Sequence, residues 1–372
     1  MRSRVRTRTH GSVGRRGLRP PLTRCDEFIV VLEDIVQTED AARVANEIID
    51  DLSKPFCLTQ SNDVKIGVSV GISLYPDHGE TPHALIDHAD TALYQAKNKG
   101  RGCFAYFSEE LTIAAQDRMA LETRLRHAIE QHELQVFYQP QVDMISGRIV
   151  GAEALLRWFD SVEGLVMPTR FIPIAEETGM IIEIGTWVLR ETCRQGRKWL
   201  DEGFSPMTLA VNVSAHQFRQ ADFCNMVGEV LEETGFPAQY LELEITESSL
   251  MGKLIEDTAT ELLNKLRVHG IRLAIDDFGT GYSSLAYLKH FPLDVLKIDK
   301  SFIDDIPFLQ DDMEIAATVV SMGHILGFKV LAEGVETPEQ LAFLREKGCD
   351  SYQGFIKSKP IPADEFTKLL SK

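Results

Sequence analysis

Residues 273–285, LAIDDFGTGYSSL, set two adjacent carboxylates, Asp276 and Asp277, where an apolar run gives way to a glycine-rich turn. No Lys or Arg is adjacent to neutralise them. Like charges held at one site raise a pKa or demand a compensating cation. The plain alternative is a solvated strand-to-helix loop in which one Asp caps the helix starting near Ser283. Strand, turn and helix make one βα unit, so the rest of the chain decides whether the pair is a loop detail or part of a site.

The unit recurs. Apolar, β-rich runs stand at 134–140, 149–157, 207–213, 241–246, 271–276, 294–298, 328–332 and 350–352, and helical stretches at 181–200, 220–234, 256–269, 311–326, 337–346 and 363–371. Such alternation predicts an α/β fold, a (β/α)₈ barrel, with a doubly wound open sheet as the alternative. The first two strands are joined by VDMISGR, far too short for a crossover helix, so that pair should run antiparallel.

In a barrel, chemistry belongs at the carboxyl ends of the strands. Those ends carry Glu153 and Arg157 on one strand face, Asn212, Glu242 with Glu244 and then Glu247, the Asp pair, Lys297 with Asp299, Glu333 with Glu336, and Gln353. Singly, each has a bland explanation: a cap, a surface group, an ion pair or a turn. Together they are too many carboxylates to bury without cations. Oxygen ligands suit Mg²⁺ or Mn²⁺. Adjacent aspartates let one carboxylate bridge two ions while the other holds one of them, an arrangement able to activate water against a phosphodiester. Lys297 on the next strand is placed to steer that water or to neutralise the phosphoryl group. The histidines, among them His10, His78, His83, His88 and His216, form no metal-ligand motif.

A net charge of -17 over 372 residues argues against non-specific DNA or RNA binding. None of the six cysteines forms a CxxC pair, which fits a reducing cytoplasm. No stretch has the apolar length of a transmembrane segment. Residues 1–25 read as an Arg-rich tail, disordered or the product of a misplaced start, and not as a secretory signal. Residues 26–108 read as a small, incomplete α/β unit, its first helix capped by Thr38. Residues 109–132 read as a connector helix with Leu121, Leu125 and Ile129 at helical spacing. The barrel occupies 133–372.

Residues 133–372 resemble the EAL domain, the cyclic di-GMP phosphodiesterase family. The resemblance is carried by Glu153-Ala154-Leu155 and by FYQPQVD, LLRW, FIPIAEETGMI, VNVSAHQF, LELEITES, AIDDFGTGYSSLAYL, LKIDKSFI, LAEGVET and YQGF. It implies a modified barrel with an antiparallel first strand. The implied activity is metal-dependent hydrolysis of cyclic di-GMP to linear pGpG, with two Mg²⁺ or Mn²⁺ ions and a homodimer formed through the barrel. By the same resemblance Glu153, Asn212, Glu244, Asp276, Asp277 and Glu333 are the metal ligands, and Lys297 contacts the catalytic water. Arg157 meets a substrate phosphate, while Gln353, Leu155 and Glu336 line the substrate site. Glu247 anchors the 277–285 loop. None of these positions is substituted, which implies catalytic competence; a silent cyclic di-GMP receptor acting through dimer or protein contacts is the alternative.

Residues 26–108 resemble the second half of a GGDEF domain, the diguanylate cyclase family, through RCDEFIVVLEDI, VSVGISLYP and ALIDHADTALYQAKNKGRGCFAYF. Arg24 and Cys25 occupy the two glycine positions of the signature, where side chains crowd a turn built for close approach to a nucleotide. Asp26 and Glu27 persist without their partners, so no cyclase activity is expected.

Overall fold

The eight apolar runs close into a barrel in the computed structural model, which describes residues 6–8, 28–33, 35, 37–54, 56–59, 62–64, 66–250, 256–279 and 288–371. The strands are β1 (Leu134–Asp143), β2 (Ile149–Asp160), β3 (Thr208–Val213), β4 (Leu241–Thr246), β5 (Arg272–Phe278), β6 (Val295–Ile298), β7 (Lys329–Ala332) and β8 (Ser351–Gln353). From β2 to β8 each neighbour runs parallel. Strand β1 closes the ring antiparallel to both β2 and β8, as its short connection requires.

Helices cover the outside where the apolar period lies. In Ile181–Asp201 the buried positions Ile184, Val188, Leu189 and Cys193 recur on one face. Tyr138, Trp199 and Phe366 pack ring to ring outside β1, with Tyr138 and Trp199 centroids 5.0 Å apart, and the Trp199 indole donates to Thr367 Oγ1 at 2.8 Å. Inside the barrel, Ala274, Val295 and Leu331 form a small apolar cluster. The strand period of two puts Asp276, Lys297 and Glu333 on the same inward side one step further along. That cluster is the floor of the site.

Among the described residues, the longest barrel helix without a counterpart among the expected elements follows β2. Pro168–Thr178 begins with Pro168 in its first turn, carries Pro173 inside, and ends on Gly179 at φ 78°. Its internal proline masks a periodic face that buries Phe171, Ile174 and Ala175.

The chain divides into two units at Ala120/Leu121. In the first, helices Thr38–Ser53 and Pro82–Asn98 accompany a parallel pair, Val70–Ile72 with Phe104–Tyr106. Their core includes Ala42, Ile49, Ile72, Phe104 and Tyr106. Gly71 lies against the second helix so closely that a Cβ would meet the Ala89 carbonyl oxygen at 2.1 Å.

Three expectations need correction. Gln37 and not Thr38 is the N-cap, its N–H donating to Asp40 Oδ2 at 3.1 Å. The helix expected over 109–132 stops at Leu125; beyond it the bonds shorten to three-residue spacing, His127 to Arg124 and Ala128 to Leu125, and His132 turns the chain at φ 57°. Within the Arg-rich tail, Arg6–Arg8 is a strand paired antiparallel with Ile29–Val31. An open strand edge offers N–H and C=O groups that an extended segment can satisfy. Arg24, Cys25, Asp26 and Glu27 lie outside the described residues. No helix among the described residues is long and apolar enough to cross a membrane.

Candidate functional site

Strand alternation by itself would send Asp276 and Asp277 to opposite faces of β5. The register against β6 shows how the chain avoids this: Ile275 pairs with Leu296, but Phe278 pairs with Ile298, so β5 has one extra residue. That is a bulge, and bulges re-aim side chains at barrel rims. Asp277 absorbs it at φ 53°, a left-handed conformation that Asp tolerates better than most residues. Its N–H donates to Asp276 Oδ1 at 3.0 Å. As a result Asp276, Asp277 and Glu333 each bring an oxygen within 4.8 Å of the others.

Lys297 stands at the centre of the acids and is fully buried. Its Nζ lies 2.6 Å from Glu333 Oε1, 2.8 Å from Glu244 Oε2, 3.1 Å from Asp276 Oδ1 and 3.9 Å from Glu153 Oε2. Burial alone would lower the ammonium's pKa, but Asp276, Glu153, Glu244 and Glu333 together raise it well above the ordinary lysine value. The acids move up too. Burial pushes Glu244 well above the usual carboxylate range, against the pull of Lys297. Burial also pushes Glu333 up to about 8, with Lys297 opposing it and Asp276 and Glu153 adding to it. One ammonium does not neutralise this many carboxylates, so protons or further cations must make up the difference.

Glu153 is clamped on both oxygens. Asn212 Nδ2 donates to its Oε1 at 2.6 Å, and Gln353 Nε2 donates to its Oε2. Glu247, on the short helix after β4, accepts from the Gly279 N–H at 3.1 Å through Oε2 and so holds the start of the loop after β5. Residues 280–287, which include the helix start expected near Ser283, lie outside the described residues.

The acids thus gather Glu153, Glu244, Asp276, Asp277 and Glu333 around Lys297, with Asn212 and Gln353 joined through Glu153. Other candidates stand apart. Glu336 is exposed and pairs with Lys300 at 2.7 Å. Glu242 pairs with Arg272 at 3.2 Å. Asp299 accepts from the Ser301 N–H at 3.0 Å and caps a turn of 3₁₀ helix. Arg157 is half-buried, donates to the Leu156 carbonyl at 2.8 Å and lies over the Phe137 ring, with Leu155 half-buried beside it. Sequence reasoning missed Gln139, which accepts from Gln353 at 3.1 Å. The available signal was a glutamine inside a strand whose other residues are mostly buried.

These donors fit hard divalent cations. They are oxygen-rich, and Glu244 Oε1 and Glu247 Oε1 are buried acceptors without a hydrogen-bond partner. Among the described residues the metal-sized carboxylate group is Asp276, Asp277 and Glu333.

Comparison with known proteins gives the family. The EAL domain model matches residues 122–360, and the diguanylate cyclase, GGDEF domain model matches 23–103. The chain is 42% identical over 340 residues to the bifunctional diguanylate cyclase/cyclic di-GMP phosphodiesterase MucR of Pseudomonas aeruginosa, covering 91% of this chain and 49% of that protein. It is 43% identical to the cyclic di-GMP phosphodiesterase NbdA of the same organism, covering 91% of this chain and 42% of that one. The chain therefore spans about half the length of the curated relatives it matches. Among solved structures, a MucR phosphodiesterase in complex with c-di-GMP superposes with a TM-score of 0.64 at 44% identity, covering 66% of this chain and 99% of that chain.

Proposed function

The chain belongs to the EAL domain family, and from that membership we propose that its barrel hydrolyses cyclic di-GMP to linear pGpG with the help of Mg²⁺ or Mn²⁺. The observation that carries this is the bulge that turns Asp276 and Asp277 together toward Glu333 around the buried Lys297.

Two divalent cations, when bound, would polarise the phosphodiester and make water nucleophilic near neutral pH. Asp276, Asp277 and Glu333 would hold them, together with Glu153, Asn212 and Glu244. Lys297 supplies a fixed positive charge from a water-excluded position, where it acts on the developing phosphoryl charge and orients the attacking oxygen. Arg157 lies one strand period beyond Leu155 and would take a substrate phosphate, with Leu155, Gln353 and Glu336 along the substrate path. Glu247 fixes the loop that follows the Asp pair.

Incubation of the purified chain with cyclic di-GMP, followed by chromatography, tests this directly. Linear pGpG should form with Mg²⁺ or Mn²⁺ and cease on chelation; turnover indifferent to chelation would sink the metal mechanism. The alternative, a silent cyclic di-GMP receptor acting through dimer or protein contacts, is read in the same assay. Tight binding without pGpG release would select it. A homodimer through the barrel belongs to the same proposal and is read by sedimentation. For the front unit we propose no cyclase activity, because Arg24 and Cys25 stand where the signature needs glycine.

A further inference from the structure

Gln353 must present its amide nitrogen, and not its oxygen, to Glu153, since two acceptors face to face would repel. An amide can be turned either way within its own shape, so something else has to fix the choice. The main chain does so at two removes. Ser358 offers a carbonyl, which has no proton and can only accept. Gln139 Nε2 donates to it at 3.2 Å, so Gln139 Oε1 faces the other way and accepts from Gln353 Nε2 at 3.1 Å. The same Gln353 nitrogen then has its second proton left for Glu153 Oε2. Gln139 and Gln353 are both buried, at 7% and 4% exposure, so water does not substitute for either link.

The polarity of this relay has a second result. With both amide protons used, Gln353 Oε1 is left as a buried acceptor without a partner. A fold seldom leaves such an atom unsatisfied unless a ligand or bound water completes it. We propose that Gln139 is a positioning residue for the reaction: it sets the orientation of the Gln353 amide, and through it the posture of Glu153 toward a divalent cation. This rests on the metal-dependent function proposed above. Gln139 touches neither cation nor substrate; it acts through Gln353.

The test measures Mn²⁺ binding by the full chain, from the electron paramagnetic resonance signal of free Mn²⁺, beside a thermal melt of each variant. Gln139→Met keeps the side-chain volume and removes both hydrogen bonds. It should melt cooperatively but bind Mn²⁺ ~10–100-fold more weakly, the usual loss when a partner of a metal ligand is removed. In a Gln353→Ala background the same change should add almost nothing, because the relay is already cut. Should Gln139→Met fail to fold, Gln139→Asn retains the amide but is one methylene too short to span both partners, and should show the same coupled loss. Wild-type Mn²⁺ affinity in Gln139→Met, or an equal loss with and without Gln353, would overturn the relay and leave the phosphodiesterase proposal standing. A wild-type chain that takes up no Mn²⁺ would overturn both.

Discussion

Removing the Lys297 ammonium leaves Glu244, Asp276 and Glu333 facing one another in a pocket with little water. Breaking a buried ion pair from one side costs about 3–5 kcal/mol. Lys297→Met should therefore lower the urea midpoint of the metal-free chain markedly, and added Mn²⁺ should restore part of the loss. Its kcat should fall ~10²–10³-fold, as for other fixed groups that meet transition-state charge. Asp276→Asn should abolish pGpG release and weaken Mn²⁺ binding together. Glu333 links the site to pH. Its folded value of about 8 lies above the ordinary 4.5, so the folded chain keeps a proton there that the unfolded chain has already released. That contribution to stability is complete below about 4.5 and is lost as pH rises through about 8. The melting temperature of the metal-free chain should fall across this window. Saturating Mn²⁺ should remove the slope, because a cation takes the place of the proton. The same slope with and without Mn²⁺ would separate Glu333 from the cation site.

At the level of elements, β5 shows what a sequence conceals. The strand and its two aspartates are plain in LAIDD, and so is the glycine-rich turn. The extra residue in its ladder is not, since a bulge is defined by what the neighbouring strand does. Only the bulge turns a suspicious pair into convergent carboxylates. The barrel strands and most helices were legible because apolar period and length agree, and the antiparallel start was legible from a short connection. Helix Pro168–Thr178 was hidden by Pro173, and the end of the helix at Leu125 by a shift to tighter turns that needs neither Gly nor Pro. Gln139 escaped notice because its role lies entirely in two partners more than 200 positions away in the chain. The turn after β5 has its own prediction. Gly279 sits at φ 99°, and a Cβ there would meet the Phe302 ring at 2.9 Å. Gly279→Ala should cost about 1 kcal/mol or more, read as a lower denaturant midpoint, and activity should fall with it as the loop held by Glu247 shifts.

On the scale of the whole molecule the two units differ in how well each is buried. The barrel unit has a large core cluster from Leu121 to Phe366 and the small inner cluster of Ala274, Val295 and Leu331. The first unit has a small core rich in alanine, with Ala41, Ala42, Ala45 and Ala115 among its nine buried members. Regions with few buried apolar contacts open at lower free energy. Limited proteolysis of the full chain should therefore cut before Ala120 first and leave a resistant fragment containing 133–371. Equal resistance of the two units would contradict this.

The reversed first strand also decides where force enters the barrel. Gln135 lies opposite Arg157 and Gln139 opposite Glu153, so Leu134 begins at the rim that bears the carboxylates. In an all-parallel barrel the polypeptide would arrive at the far rim, with the depth of the sheet between it and the chemistry. Here the backbone enters at the carboxylate rim opposite Trp158, and a tug on it runs down five residues of the strand to Gln139, the residue opposite Glu153.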